Sequence, residues 1–473
     1  MNKGKELAKN TLILTFGKIC TQFVSFLLLP LYTALLQPEE FGIVDLFNTY
    51  ITLLVPLFNW QFENGLFRFM LDCRGNKDEQ SKIFSTVFFT NIAQALLYII
   101  FFLVFQNFIS SEYKVFLAID VVLNIFLNTL LQFPRGLGNS KAYAFGSFLS
   151  ASSAVVFNVV LIAGCRMGAY GMFIAAVISK ILTILYLFFS QKAWRYMSLK
   201  LYSFSEFKSI SKYSFPLIPN QLSWWVISAS NRTIIAHFIN VAANGIYSVA
   251  NKFSSVFITF YNIFNMSWTE SVSIHMNDDD SEEFLTDTIN SMFKLFSSIC
   301  IGIIAAMPFL FPYLVDAKYS ESYYQIPIQL IAVLFQVVVG LYSVIYVALK
   351  KSVEIAKTSL IAAIVNVAVN ITLIHFIGLY SASLSVLCAY ATMAIYRYFH
   401  VKKYMNLKLK GWVVISTVIA AGITLAAYYY RNMIICGAVL AGVAVYAFIL
   451  NKSFLKSTAQ IAKNKFKAII HKK

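Results

Sequence analysis

Apolar residues fall in long runs separated by short polar gaps, and the runs repeat from one end of the chain to the other. They lie near 10–36, 41–63, 83–106, 114–133, 144–164, 168–190, 213–239, 244–267, 291–314, 326–348, 357–376, 379–400, 411–430 and 432–450. A bilayer core of roughly 30 Å needs about 20 apolar residues in a helix, so each run predicts one transmembrane helix. The expected fold class is therefore an all-α polytopic membrane protein of about fourteen spans. The longest gaps, near 191–212 and 268–290, are too short for a soluble catalytic domain.

The order of small motifs adds a second level. Asn158 precedes Gly168-Ala169-Tyr170-Gly171, and Asn370 precedes Gly378-Leu379-Tyr380-Ser381. Gly42-Ile43-Val44 is echoed by Gly245-Ile246-Tyr247. The offsets are all near 203–212 residues, the length of six spans. This predicts two pseudo-symmetric six-helix lobes, 1–190 and 213–400, and two further helices within 411–450. Repeated lobes are common among alternating-access transporters. The connecting stretch 191–212 alternates Trp194, Tyr196, Phe204 and Phe207 with Arg195, Lys200 and Lys208, as a surface-lying linker does. The tail 451–473 sets Phe454, Ile461, Phe466 and Ile469 against Lys456, Lys463 and Lys467 and is expected to rest on anionic lipid.

Composition supports lipid as the main solvent: 59% of the 473 residues are hydrophobic and 12% are charged. The net charge of +17 is scattered through short loops, which argues for topology and lipid headgroups rather than a nucleic-acid groove. With both termini placed in the cytoplasm, 30 Lys and Arg residues fall inside and only Lys114, Arg166, Lys318 and Arg431 outside. That bias predicts cytoplasmic termini in the cell membrane and an even number of spans. The six cysteines and five histidines form no metal-type cluster, and no P-loop or nucleophile–base pair stands out, so neither a cofactor nor an enzymatic reaction is expected.

What remains is charge inside the spans. A cation there costs about 2.5–3.5 kcal/mol on insertion scales and needs a purpose or a partner. Lys18, Lys180, Arg232 and Lys252 qualify. Lys180 lies roughly 15–18 Å from both ends of its span at about 1.5 Å per residue, too deep to snorkel. Arg232 and Lys252 fall at similar depth on consecutive spans. A cationic cavity suits two phosphates of a lipid headgroup, and Arg adds a bidentate fork. Snorkelling or burial as an ion pair is the competing account. Asp45, Asp120 and Glu63 are the carboxylates of the first lobe's spans, candidates for proton or sodium coupling or for pairing with a cation. Pro30, Pro56, Pro216, Pro219 and Pro308 interrupt spans and are candidate bending points.

Pro30-Leu31-Tyr32-Thr33, Pro38-Glu39-Glu40-Phe41-Gly42 with Asp45-Leu46, and Glu63 followed by Arg68-Phe69 stand in order near the N-terminus. Pro216-Leu217-Ile218-Pro219, Arg232, Gly245-Ile246-Tyr247 and Lys252 follow later. This order resembles the polysaccharide-transporter flippases, which export O-antigen, capsule or exopolysaccharide repeat units within the multidrug/oligosaccharidyl-lipid/polysaccharide exporter superfamily. The resemblance implies a V-shaped pair of lobes around a cationic cavity. It also implies an undecaprenyl-diphosphate-linked oligosaccharide as substrate, with polymerase and glycosyltransferases as partners. Many such proteins carry Asp before the arginine, where this chain has Asn231. The rival readings are a multidrug exporter or a peptidoglycan lipid flippase of the same superfamily and, more remotely, a membrane glycosyltransferase or polymerase.

Overall fold

The computed structural model describes residues 26–276, 278–349, 351–454 and 456. Among them every regular element is a helix. In chain order they are α1 (Leu29–Leu35), α2 (Pro38–Asn59), α3 (Phe62–Asp72), α4 (Lys77–Phe105), α5 (Lys114–Gly136), α6 (Ser140–Asn158) and α7 (Gly168–Ser190). Then come α8 (Phe204–Ser214), α9 (Leu217–Phe238), α10 (Val241–His275), α11 (Ser281–Leu314) and α12 (Ser322–Ala348). The last are α13 (Ser352–Ile377), α14 (Tyr380–Val401), α15 (Gly411–Tyr430) and α16 (Met433–Leu450). A helix stands at each of the thirteen expected spans from 41–63 onward. Ten of these helices are long and apolar enough to cross a bilayer. The other three, α9, α10 and α14, are also long but carry more polar residues, Arg232, Lys252 and Arg397 among them. The expected first span, 10–36, lies mostly outside the described residues.

Two compact units divide the chain, Met1–Ser248 and Val249–Lys473, and the division falls within α10. The expected lobes 1–190 and 213–400 follow the sequence repeat, whereas these units follow packing. In the first unit α5 packs on α2, α3, α4 and α7. Its core has two parts. Phe62, Leu66, Phe84, Phe133 and Ile210 fill one, and Phe47, Ile51, Tyr98, Val121 and Phe173 fill the other. In the second unit α14 runs along both α12 and α13, while α15 and α16 pack on α11.

The linker 191–212 holds two short 3-10 turns, Ala193–Tyr196 and Leu199–Leu201, before α8 begins. It is tied to α4: Ser85 Oγ donates to the Tyr196 carbonyl at 2.8 Å, and Thr86 Oγ1 accepts from the Ser203 amide at 3.1 Å. Trp194, Leu199 and Phe204 stay exposed, as a membrane-surface segment requires.

One boundary differs from the sequence reading. The run 41–63 is not one helix, because Trp60 and Gln61 turn left-handed at φ 53° and 58° and end α2 at Asn59. The Trp60 ring packs on Phe62 and Phe215, with centroids at 6.0 and 5.2 Å, and this packing holds the break. Glu63 therefore lies not at the end of the second span but in the first turn of α3.

Candidate functional site

The N-terminal motif is first a structural device. Pro38 stands in the first turn of α2, where its missing N–H costs nothing. Glu40 Oε2 accepts from the Gln37 amide at 2.8 Å, closing a capping box. Its other oxygen, Oε1, accepts from the Ala169 amide at 3.2 Å at the start of α7. Gly168 is there at φ +56°, and a Cβ on it would meet that same oxygen. Gly378, the C-cap of α13 two residues before α14, has nearly the same value, φ +54°, so the repeated glycine marks a turn between helices in both places.

Gly42 and Gly245, echoed in the sequence, meet face to face. A Cβ on Gly42 would strike the Val241 carbonyl, and one on Gly245 the Pro38 carbonyl. Asn244 Nδ2 donates to the Gly42 carbonyl at 2.9 Å and locks the crossing of α2 with α10. One turn further along each helix stand Asp45 and Ser248. Ser248 Oγ donates to Asp45 Oδ2 at 2.5 Å, and Arg232 Nε on α9 donates to the same oxygen at 2.6 Å. The Arg232–Asp45 ion pair is largely shielded, with side chains 16% and 18% exposed.

The second pair is deeper. Lys180 Nζ on α7 reaches Asp120 Oδ1 on α5 at 2.5 Å. Asp120 is buried among the apolar residues of these helices, where an isolated charge would be costly and a paired one is tolerated. Glu63 differs from both. Its carboxylate accepts from Asn59 Nδ2 at 2.5 Å and from Asn64 Nδ2 at 3.5 Å, and no cation pairs with it among the described residues.

In the second unit Lys252 is half-buried on α10. The sequence reading did not single out Arg397. In the structure it lies within α14 and is 1% exposed. It donates to Thr358 Oγ1 at 3.0 and 2.7 Å, to the Val339 carbonyl at 3.3 Å, and to Ser343 Oγ. The signal was a buried stripe at helical spacing, Tyr390, Met393, Ala394, Arg397 and Val401.

The remaining motif residues sit apart from these pairs. Pro30 lies in the first turn of α1, and Tyr32 is buried. Arg68 forms an exposed pair with Asp72 at 2.5 Å. Asn231 is buried beside Arg232 in sequence. Lys18 lies outside the described residues.

The fold is that of membrane exporters and lipid flippases. A solved multidrug resistance MATE family transporter of the MOP superfamily, inward-facing, superposes with a TM-score of 0.66 at 14% identity, over 84% of this chain and 95% of that one. The lipid II flippase MurJ, in an inward closed conformation, gives 0.67 at 16% identity, over 95% and 100%. The chain itself belongs to the polysaccharide biosynthesis protein family, whose model matches residues 7–269. The succinoglycan biosynthesis transport protein ExoT of Rhizobium meliloti is 22% identical over 265 residues, 54% of this chain and 51% of that protein. An Lsg locus protein of Haemophilus influenzae is 22% identical over 256 residues, 53% of this chain and 62% of its own length. The chain thus spans roughly half to three-fifths of the curated relatives it matches.

Proposed function

We propose that this protein flips an undecaprenyl-diphosphate-linked oligosaccharide from the cytoplasmic to the outer leaflet by alternating access, supplying surface polysaccharide biosynthesis. One observation carries the reading. A chain of a polysaccharide biosynthesis family keeps Arg232 within a membrane-spanning unit, charged and oriented by Asp45. A guanidinium fixed in this way is prepared for a diphosphate, which offers the same kind of oxygen acceptor with more charge. On this reading the headgroup competes with Asp45 for Arg232. The carboxylate, once released, is free to take up a proton. The sugar then crosses through a wet path while the polyprenyl tail stays in lipid. Lys180, with Asp120, is a second cation of the same kind, and Lys252 and Lys18 are further donors to test in the same assay. No covalent step and no ATP hydrolysis enter.

The test is flipping of a fluorescent lipid-linked sugar in proteoliposomes at equal folded amounts. Arg232→Ala should lose most activity, and Arg232→Lys should recover only part, because a point charge lacks the fork. The double variant Asp45→Asn with Arg232→Gln, which leaves no unpaired charge, should fold and still fail to flip. Full activity in that double variant would remove Arg232 from the mechanism. Strict dependence on added ATP would overturn the mechanism itself.

A further inference from the structure

Within the second unit α14 packs on α12, α15 packs on α11, and α11 packs on α12. A hollow of about 320 Å³ lies among these four helices. α11 and α12 contribute Ile301, Ile304 and Leu334 to it, and α14 and α15 contribute Ile395, Phe399 and Val418. The last three are exposed, so the hollow opens sideways onto surface that lipid covers. Two of its three polar side chains are engaged elsewhere. Cys300 Sγ donates to the Leu330 carbonyl at 3.4 Å, and Thr417 Oγ1 lies 3.3 Å from the Tyr446 hydroxyl. Such a hollow offers water no partners, and an apolar chain fills it better.

One end of the hollow is basic. Lys294 follows Phe293 of the lining, and its Nζ stands 5.4 Å over the ring of Trp412. Lys402 Nζ lies 4.3 Å over the ring of Tyr398, the third polar lining residue, and 5.5 Å over that of Phe399. Lys408 and Lys410 flank Leu409, which lines the same end. Among the described residues Lys410 reaches Asp287 at 3.6 Å, and no carboxylate pairs with Lys294, Lys402 or Lys408. The carboxylates of α11 begin at Asp287, seven residues and about 10 Å further out than Lys294. Trp412 is exposed beside these lysines, as an aromatic anchor at headgroup level is.

We propose that this hollow holds a resident anionic glycerophospholipid, with one acyl chain in the groove and the phosphate among Lys294, Lys402 and Lys408. Charge and depth select this occupant. Unpaired lysines at the mouth of an apolar groove between helices match an acidic headgroup rather than a zwitterionic one. Along α11 the lining runs from Phe293 to Ile304, eleven residues and about 16 Å. That is half of a hydrocarbon core of roughly 30 Å, the depth of one leaflet. It suits an acyl chain and is short for a long polyprenyl chain. The lipid would tie α14 to α15 across the groove. The site is independent of which lipid the protein moves.

The test is native mass spectrometry of the purified full chain in detergent, titrated with phosphatidylglycerol or with phosphatidylcholine of the same acyl chains. The wild type should hold one phosphatidylglycerol with an apparent Kd about tenfold below that of phosphatidylcholine. Lys294→Gln with Lys402→Gln should bring the two lipids level. Val418→Trp, which fills the groove from its lipid side, should weaken both on the order of tenfold. Lys200→Gln with Lys208→Gln removes the same charge from the linker of the first unit and should change neither. Equal affinities in the wild type, or a preference that survives in the Lys294 and Lys402 variant, would overturn the headgroup site. Undiminished binding in a folded Val418→Trp would overturn the groove; should that variant misfold, the lysine comparison decides alone. Undecaprenyl phosphate displacing phosphatidylglycerol at equal concentration would also overturn the proposal, because the groove would then belong to a polyprenyl chain. The readout is binding, so a failure to flip lipid-linked sugar leaves this result standing, and the flipping assay is judged by itself.

Discussion

The two units solve the same problem, a cation inside a membrane protein, in opposite ways. Among its described residues the first unit pairs two shielded cations with carboxylates, Arg232 with Asp45 and Lys180 with Asp120. The second holds Arg397 on neutral oxygens of α12 and α13, and all its hydrogen bonds among the described residues are of that kind. A pair can open, because each partner can find another ion. A guanidinium spread over hydroxyls and main-chain carbonyls of two helices has no counter-ion to exchange among the described residues. The first arrangement suits a part that changes partners during work, and the second suits a fixed joint between helices.

The largest effect should come from breaking a pair on one side only. Lys180→Leu leaves Asp120 buried without compensation and should cost about 3–5 kcal/mol of stability. The double variant Lys180→Leu with Asp120→Leu should recover most of that loss. Arg397→Leu strands no opposite charge and should cost about 1.5–3 kcal/mol, the scale of its charge-assisted hydrogen bonds. Thermal unfolding of the purified variants in one detergent ranks them. If Arg397→Leu is the worse of the two single variants, or the Lys180 and Asp120 double variant is no better than its parent, the distinction between the units collapses.

A second contrast concerns glycines. Gly42 and Gly245 in the first unit face main-chain atoms, which cannot give way. Gly340 on α12 faces the hydroxyl end of the Tyr261 ring, a buried side chain whose hydroxyl donates to Asn265. Gly245→Ala should therefore cost about 3 kcal/mol, the upper end of ordinary overpacking. Gly340→Ala should cost less, about 1–2 kcal/mol, since a side chain rather than main chain must be displaced and the helix gains from losing glycine. Equal losses at both positions would show that the α2–α10 crossing is looser than its geometry implies.

The spans were legible in the sequence because a run of about 20 apolar residues has one stable answer in lipid. The glycines of the sequence echo have local duties in the structure: Gly168 begins α7 and Gly378 caps α13, both at positive φ, and Gly42 and Gly245 touch. Azimuth was not legible. Depth along a helix follows from counting residues, but which face meets which neighbour depends on packing. The sequence could name Asp45, Asp120, Lys180 and Arg232 without assigning the partners. Arg397 was missed because it sits four residues from the end of α14, where an arginine ordinarily reaches water. The break at Trp60–Gln61 was missed because no glycine marks it.

The smallest effect separates structure from function within the N-terminal motif. Glu40 and Gly42 have visible structural duties, and Arg68 has almost none. Its pair with Asp72 leaves the two side chains 48% and 66% exposed. Exposed pairs of this kind on one helix contribute about 0–1 kcal/mol. Arg68→Ala should leave the unfolding midpoint nearly where it was, and salt should erase what difference there is. The flipping assay then decides what the arginine is for. Unchanged flipping would mean that Arg68 is a charged surface residue that helps set the inner face. A loss of flipping without a loss of stability would mean that it touches a moving headgroup or lipid. The clean separation from Asp45 and Arg232 would then fail, because a residue outside the buried pairs would also be serving the substrate.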